Sequence, residues 1–499
     1  MIIRRLILTA GSVSLLAACA TTNTGVAGMA TVPTQWQAAL PVTEKNTELR
    51  SWWQAQGDAT LVELIDAAQA VSPSIAQAWS RIETARAARV ASGAALLPSL
   101  DAVANVSRAK NQIGVPVAST AQVGLQTSWE LDLFGANRAT NQAAEADLEG
   151  SRAQWHDARI SVAAEVAQLY FSVLSCRQVA DITWQDARSR AETARLTELS
   201  AQAGMTSNST ASLTRSSAAE GNSRAIQQAA QCDRDIKALV AMTARPEQEL
   251  RQKLDVVSRD AATKNLLPLG ISTVPALVLQ QRPDVYAAEK EVSMASAQIG
   301  AAEARRYPRL TLSGSIGSMR YRTMGVDSSM DTWSIGPLAL TLPIFDGGQA
   351  VANVDAAKAR YLAASSSYTS KVRQAVREVE EALVNLQSTD ARRQDSELAA
   401  RGYTQALQAT TVRYNQGMAS LLELEDARRT AFASQSSLIS LQLERNNAWI
   451  ALYKALGGGW DMQPGVNTTP VAPVMPSAAS ATSAASTQFA HDSTAKPNS

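Results

Sequence analysis

Few residues of this chain have reactive side chains, and two of them are the cysteines Cys176 and Cys232. Cys176 and Cys232 each lie 28 residues from Gly204 (204 − 176 and 232 − 204). If the chain forms an antiparallel helical hairpin that turns near Gly204, the two thiols come level. They can then form a disulfide, provided that their Cα atoms approach within about 7 Å. A pair of small buried thiols is the alternative. We expect the disulfide, because an oxidising compartment favours it.

The third cysteine follows a segment with the layout of an export signal. Two arginines precede an apolar stretch from Leu6 to Leu16, which is too short for a membrane-spanning helix. The run Leu16-Ala17-Ala18-Cys19 resembles the lipobox of bacterial lipoproteins, in which the cysteine is acylated and becomes the new N-terminus. An ordinary secretory signal with a chance cysteine is the alternative. Ala20 is not the aspartate that resembles an inner-membrane retention signal, so we expect lipidated Cys19 to be anchored in the outer membrane.

Charge and composition exclude several classes of function. The chain has 46 Lys+Arg against 45 Asp+Glu, so it offers no basic field for nucleic acid. Its two histidines, His156 and His491, are far apart, and no Cys/His cluster has the spacing of metal ligands. We find no phosphate-binding loop, nucleophile elbow or catalytic triad. The sequence therefore predicts neither an enzyme nor a metal site, and no cofactor beyond the lipid on Cys19.

Strands, rather than helices, have the pattern of a membrane crossing. After the signal no apolar stretch approaches the roughly 20 residues that a transmembrane helix needs. From Gln122 to Leu133 apolar residues alternate with polar ones, and a similar pattern follows Pro98, which predicts a hairpin over about residues 98–133. A soluble amphipathic hairpin has the same period. The export signal favours the membrane.

The chain contains an internal duplication. Two short segments align about 210 residues apart: Leu97-Pro98-Ser99-Leu100 and Tyr307-Pro308-Arg309-Leu310. The alignment predicts a second hairpin over about residues 308–345. In its last strand the alternation of apolar and polar residues is disturbed near Gly336-Pro337. Each chain would then have four strands. Because lipid does not tolerate unpaired strand edges, the sheet must close through other copies of the chain.

Long helical segments separate the hairpins. From Gly135 to Gly204 is 69 residues, which reaches about 100 Å if the whole stretch is helical. The second half has a coiled-coil spacing of apolar residues at Val372, Val376, Val379, Leu383 and Leu386. Breaks at Gly204 and Gly417 predict the tips of two helical hairpins.

These features together resemble the TolC/OprM family of outer-membrane channels, within it the lipoprotein branch that partners resistance-nodulation-division (RND) efflux pumps. The most specific motifs are Gln281-Arg282-Pro283-Asp284-Val285, Leu342-Pro343-Ile344-Phe345-Asp346-Gly347-Gly348 and Leu452-Tyr453-Lys454-Ala455-Leu456-Gly457-Gly458-Gly459-Trp460. The resemblance implies a mixed α and β membrane protein. Three chains of four strands would form a 12-stranded outer-membrane β-barrel, which continues as a long periplasmic α-helical barrel. It further implies an exit duct for drugs or other small molecules, with a periplasmic adaptor and an inner-membrane RND transporter as partners.

The resemblance also implies site residues. The family closes its periplasmic end with acidic residues beyond the second tip, and the matching positions are Glu423 and Asp426, which lie at i and i+3 on one helix face. A solvated helix face is the alternative. Some members have an arginine where this chain has Ala419, so the salt bridges that lock their closed state are expected to be absent or differently built.

The adaptor is expected to dock at the hairpin tips. Arg413-Tyr414-Asn415-Gln416-Gly417 resembles the family's tip pattern, whereas the first copy reads Ser200-Ala201-Gln202-Ala203-Gly204. The two docking grooves are therefore expected to differ.

The predicted organisation follows the duplication. Residues 1–18 are the signal, 19–60 a lipidated and less regular segment, 61–244 the first repeat, 245–275 a less regular crossover, 276–460 the second repeat and 461–499 a disordered tail. Two other functions share some of these features: an outer-membrane duct for a type I protein secretion system, and a lipid-anchored periplasmic coiled-coil scaffold.

Overall fold

The computed structural model describes residues 33–40, 49–110, 116–260, 266, 269, 278–279 and 281–460. The predicted signal, Cys19 and the tail after residue 460 lie outside the described residues. After a 3₁₀ turn at Leu49–Ser51, the first half contains α1 (Trp52–Ala55), α2 (Ala59–Val71), α3 (Pro73–Ala94), β1 (Ser99–Ala109), β2 (Ala118–Leu131), α4 (Ala136–Gln202) and α5 (Asn208–Thr243). The second half contains α6 (Glu247–Asp260), α7 (Pro283–Ala304), β3 (Arg309–Thr323), β4 (Val326–Thr341), α8 (Gln349–Asn415) and α9 (Leu421–Ala455).

The two halves repeat one plan. A helix of 22 residues, α3 or α7, leads into a strand hairpin, and a helix of 67 residues, α4 or α8, follows it. Each long helix spans about 100 Å at 1.5 Å per residue. The chain then returns along it as α5 or α9, of 36 and 35 residues. No helix among the described residues is long and apolar enough to cross a membrane.

An aspartate begins each long helix. The carboxylate of Asp132 accepts hydrogen bonds from the backbone N–H groups of Asn137 (3.2 Å) and Arg138 (2.9 Å). Asp346 accepts from Gly348 (2.9 Å) and Ala350 (2.8 Å) at the second junction. Because the first N–H groups of a helix have no partner within it, these carboxylates satisfy them and favour the helix dipole. An upstream aspartate therefore caps the start of the long helix in both repeats, although the two carboxylates bond to different positions of the helix start.

Both hairpin tips close with the same backbone motif. Gly204 and Gly417 have left-handed φ values of 72° and 74°, a conformation that glycine adopts without a steric penalty. The N–H groups of Met205 and Met418 then bond to carbonyls five residues earlier, each at 2.8 Å. This is a Schellman C-cap. The predicted tips at residues 204 and 417 are confirmed by this geometry.

The strands form one antiparallel sheet in the order β1-β2-β3-β4. Central strands β2 and β3 come from different repeats and pair from Ala118↔Thr323 to Leu131↔Leu310. Gly124 lies opposite Gly317, and a Cβ on either would approach the other strand's backbone within 2.6 Å. The sheet therefore joins the two repeats tightly, while β1 and β4 remain its edges.

The main core lies at the middle of the helices, where the N-terminal segment packs against the end of α9. Trp52 and Trp53 are buried, and the ring centroids of both lie within 5.1 Å of Tyr453. Tyr170 of α4 is fully buried and donates a 2.8 Å hydrogen bond to Asp58, which also caps α2. These contacts place the Trp52-Trp53 pair inside the core.

A short strap, residues 33–40, lies against α8. The carboxylate of Glu380 accepts hydrogen bonds from the backbone N–H groups of Gln37 (2.7 Å) and Ala38 (2.9 Å), and Trp36 is buried as part of the main core. The crossover was expected to be less regular, but that expectation is wrong for Glu247–Asp260, which forms α6. Its Leu250 and Leu254 are buried in the main core.

The two terminal motifs of the second repeat pack on each other. Arg282 is buried, donates to the carbonyl of Ala455 (3.0 Å) and forms ion pairs with Asp284 (2.9 Å) and Glu378 (2.7 Å). Gly457 has a φ of 79°, and a Cβ there would lie 2.0 Å from the carbonyl oxygen of Gln281. Arg282 therefore ties the start of α7 to both α8 and α9.

Candidate functional site

The two predicted gate acids lie in the first turns of α9, directly beyond the second tip. Ser420 caps this helix, and its hydroxyl accepts a 3.2 Å hydrogen bond from the N–H of Glu423. The Glu423 carboxylate lies 3.6 Å from the guanidinium of Arg413, and both side chains are about half exposed. Asp426 pairs with Arg429 at 2.6 Å, also at the surface. Both carboxylates are thus accessible, and each has a nearby cation.

Arg413 bridges the second tip. Its guanidinium donates to the carbonyl of Met418 (3.1 Å) while it faces Glu423, so one side chain spans from the end of α8 to the start of α9. Because Ala419 stands where some family members have an arginine, the salt bridges at this tip were expected to differ. The arginine that faces Glu423 is Arg413, which lies on the other side of the turn.

A second group of charges, which the sequence did not predict, lies deeper in the hairpins. Glu425, one residue before Asp426, points between helices and forms ion pairs with Arg190 of α4 and with Arg428 (2.8 Å). Its carboxylate also accepts a 3.0 Å hydrogen bond from Ser217 of α5. We call the set the tip-proximal ion network, and its members are Asp186, Ser189, Arg190, Thr193, Ser217, Glu425 and Arg428.

The network is largely shielded from solvent. The side chains of Arg190 and Arg428 are 8% and 4% exposed. Arg428 donates to the hydroxyls of Ser189 (2.8 Å) and Thr193 (2.7 Å), so both buried guanidinium groups have several acceptors. Gly221 of α5 makes room for Arg190, since a Cβ there would lie 2.8 Å from its Cδ. Buried charges are stable only with such partners, so the network fixes α9 against the first repeat.

Cys176 and Cys232 form a disulfide between α4 and α5, with their Cα atoms 5.5 Å apart. The bond joins the two arms of the first helical hairpin, as their equal distances from Gly204 predict. Among the described residues, the second hairpin has no such bond, because it contains no cysteine.

The two tips differ in their side chains. At the second tip Arg413 is exposed and Tyr414 is half-buried, whereas the first tip has Ser200 and Ala201 at the equivalent places. Both tips expose a methionine immediately after the glycine: Met205 and Met418 are 82% and 60% exposed. An apolar contact is therefore available at both tips, whereas an arginine four residues before the glycine is available only at the second.

The described residues contain no group of three or more His, Cys, Asp or Glu side chains that could hold a metal ion. His156 packs instead against the rings of Trp155 and Trp460, with centroids 4.9 and 6.3 Å away. Burial, reinforced by repulsion from the Arg159 guanidinium, lowers the pKa of His156 to about 4. It is a neutral, partly buried residue at ordinary pH.

Comparison with known proteins places these features in a family. A match to the outer membrane efflux protein family spans residues 64–245 and 274–458, which includes both repeats. The solvent efflux pump outer membrane protein SrpC of Pseudomonas putida is 31% identical over 413 residues, covering 81% of this chain and 86% of SrpC. The outer membrane protein OprJ of Pseudomonas aeruginosa is 31% identical, covering 89% of this chain and 94% of OprJ.

Solved structures agree with the fold. A membrane protein from Pseudomonas aeruginosa superposes with a TM-score of 0.75 at 30% identity, covering 86% of this chain and all of that one. The open-state MtrE outer membrane channel of Neisseria gonorrhoeae superposes with a TM-score of 0.69 at 28% identity, covering 86% of this chain and 96% of MtrE. With its four-stranded sheet and paired long helices, the chain is a member of the outer membrane efflux protein family and an outer-membrane channel of RND-type efflux systems.

Proposed function

We propose that three copies of this chain form the exit duct of a tripartite efflux pump, in which a periplasmic adaptor and an inner-membrane RND transporter complete the path. The sheet carries this proposal. Its edges β1 and β4 are unpaired within the protomer, and lipid requires every backbone polar group to be paired. Pairing β4 of one copy with β1 of the next closes a barrel of twelve strands.

The long helices then form the periplasmic part of the duct. They follow the strands after short connections and extend for about 100 Å, enough to cross much of the periplasm. The tips are the docking surface for the adaptor, through Gly204 at one tip and Arg413, Tyr414 and Gly417 at the other. Substrates are small molecules such as drugs or solvents, which pass through a polar lumen without a dedicated binding pocket.

Glu423 and Asp426 form the periplasmic gate. In a trimer they bring six carboxylates to the narrow end of the duct, where concentrated negative charge favours cations. Arg413 and Arg429, the cations beside them, offset part of the repulsion between neighbouring copies. The gate is therefore expected to be cation-selective and sensitive to divalent ions.

Single-channel conductance in a planar bilayer tests the proposal. We expect wild-type trimers to show a small cation-selective conductance, and the double variant Glu423→Ala/Asp426→Ala to show a larger one with weaker selectivity. Glu198→Ala is the matched control, because Glu198 lies six residues from Gly204 as Glu423 lies six from Gly417. A protein that associates with the bilayer but never conducts, in any variant, would instead support a lipid-anchored periplasmic scaffold.

We further propose that Cys19 is acylated and adds a lipid anchor to the barrel. Labelling cells with a radioactive or clickable palmitate analogue should mark the wild-type protein and not Cys19→Ser. Label in Cys19→Ser would contradict the assignment.

A further inference from the structure

The strand register divides the sheet into two faces of different chemistry. Residues directly opposite each other in an antiparallel sheet point to the same face, and the side alternates along each strand. One face has Leu100 in register with Thr127, and Leu125 with Ile316 and Trp333. The apolar side chains of this face are largely exposed in the protomer; they include Leu100, Val106, Val123, Leu125, Ile316, Trp333, Ile335, Leu338 and Leu340. It is the face that meets lipid, because the lumen of such barrels is polar.

At the end of the sheet farthest from the helices, the outer rows of this face contain arginines. The last row before the turns reads Arg108, Ser119, Arg322, Asp327 across β1 to β4. The row below it contains Val106, Ala121, Arg320 and Ser329. The helices lead towards the periplasm, so this row lies at the outward end of the barrel, two residues beyond the last apolar row on β1.

The charges in these two rows do not cancel. Asp327 is engaged by Arg320 in a two-pronged ion pair, with N–O distances of 2.9 and 2.6 Å. Asp331 lies one row nearer the membrane centre on β4. Within the described part of the chain, Arg108 has no carboxylate partner, and Arg322 shares the single carboxylate of Asp327 with Arg320; both Arg108 and Arg322 are exposed. The outermost rows thus have two cations in excess.

Arg108 and Arg322 are close enough in the sheet to bind one ligand together. They flank Ser119 on the neighbouring strands, so their Cα atoms are separated by two strand spacings, or about 10 Å. Arginine side chains of this reach can converge above the serine hydroxyl. Two guanidinium groups and a hydroxyl directed at one point are complementary to a phosphate, because a phosphate accepts several charge-assisted hydrogen bonds.

We propose that Arg108, Ser119 and Arg322 form a site for a phosphate of the outer-leaflet glycolipid, the acylated and phosphorylated glucosamine disaccharide that surrounds an outer-membrane barrel. The apolar rows contact its acyl chains, and the arginine row lies at the depth of its phosphates. Each trimer would have three such sites on its lipid-facing surface, separate from the duct and the gate.

Native mass spectrometry of detergent-solubilised trimers, titrated with diphosphorylated lipid A, tests the site. We expect Arg108→Gln/Arg322→Gln to weaken binding by roughly tenfold or more, since it removes both charged donors. Arg320→Gln/Asp327→Asn is the matched control, because it deletes a neighbouring ion pair without changing the net charge. The control should bind as wild type does. Heat-resistant trimers and unchanged conductance in all variants verify folding.

Two further ligands show which parts of the lipid the site recognises. Dephosphorylated lipid A should bind wild type as weakly as diphosphorylated lipid A binds the double variant. Inorganic phosphate at millimolar concentration should not displace the lipid, because it lacks the acyl chains. Equal binding by the wild type and the double variant, equal loss in the control, or full displacement by inorganic phosphate would each overturn the proposal.

Discussion

Arg190 and Glu425 lie 235 residues apart in the sequence, yet their side chains form an ion pair that joins the first repeat to the second near the hairpin tips. Glu425 is flanked by the gate residues Glu423 and Asp426 in the same helix turn. The pair therefore holds the gate segment against α4. Any outward movement of α9 must separate Glu425 from Arg190 or carry α4 with it.

Loss of this contact should loosen the gate. In Glu425→Gln, Arg190 and Arg428 stay buried with less negative charge around them, at a cost of about 3 kcal/mol to the packed arrangement. We expect the open fraction of single channels to rise by roughly tenfold or more. Glu192→Gln removes an exposed acid whose ion pair, within the described part of the chain, is with Arg195 three residues away, and it should conduct as wild type does. Identical open fractions in both variants would show that the network has no part in gating.

The disulfide should stabilise the first hairpin selectively. It closes a loop with a sequence separation of 56 residues, for which the loss of chain entropy in the unfolded state corresponds to about 4 kcal/mol. In Cys176→Ser/Cys232→Ser, amide hydrogen exchange should accelerate along α4 and α5 near these positions. Exchange in α8 and α9 is the internal control and should not change. Equal acceleration in both hairpins would indicate global destabilisation instead.

Stability should fall in acid because of His156. Its pKa is about 4 in the folded protein against an ordinary value of 6.5, so the unfolded chain binds the proton more readily. The stability associated with neutral His156 is thus complete above about pH 6.5 and is lost as the pH falls towards 4. His156→Gln should flatten this part of a plot of unfolding temperature against pH. If the slopes of variant and wild type coincide between pH 6.5 and 4, burial of His156 does not control this transition.

The strap at residues 33–40 should depend on Glu380. Hydrogen bonds from backbone N–H groups to a carboxylate contribute about 1 to 3 kcal/mol each, and Glu380 accepts two. Glu380→Gln should therefore speed amide exchange at Gln37 and Ala38 and expose the strap to proteases. Glu381→Gln alters the neighbouring, exposed acid and is the control. Protection of the strap in Glu380→Gln equal to that in the control would mean that the buried Trp36 alone holds it.

Local patterns explain what the sequence could predict. The tips required a glycine with positive φ, and the strands required a period of two, so Gly204, Gly417 and both hairpins were visible without a structure. The helix α6 was missed although Leu250, Leu254 and Val257 have helical spacing, because its polar composition obscured a single narrow apolar stripe.

The ion network could not be predicted in the same way. Glu425 resembles the neighbouring acids in type, and only its direction distinguishes it from Asp426. That direction is set by Leu424, Arg428 and Ala431, which are buried on one side of α9 and turn Glu425 towards α4. The one local sign was an arginine, Arg428, in a row of otherwise apolar positions. Its partners, Ser189 and Thr193, are distant in sequence and ordinary in type.

The equal lengths of α4 and α8 have a consequence for symmetry. Both long helices have 67 residues, and both end in the same backbone motif, so a closed trimer presents six tips at one level with nearly sixfold geometry. The side chains lower this to threefold, since Arg413 and Tyr414 occur at alternate tips only. A partner that recognises the shape of the tips meets six equivalent positions, whereas one that needs the arginine meets three.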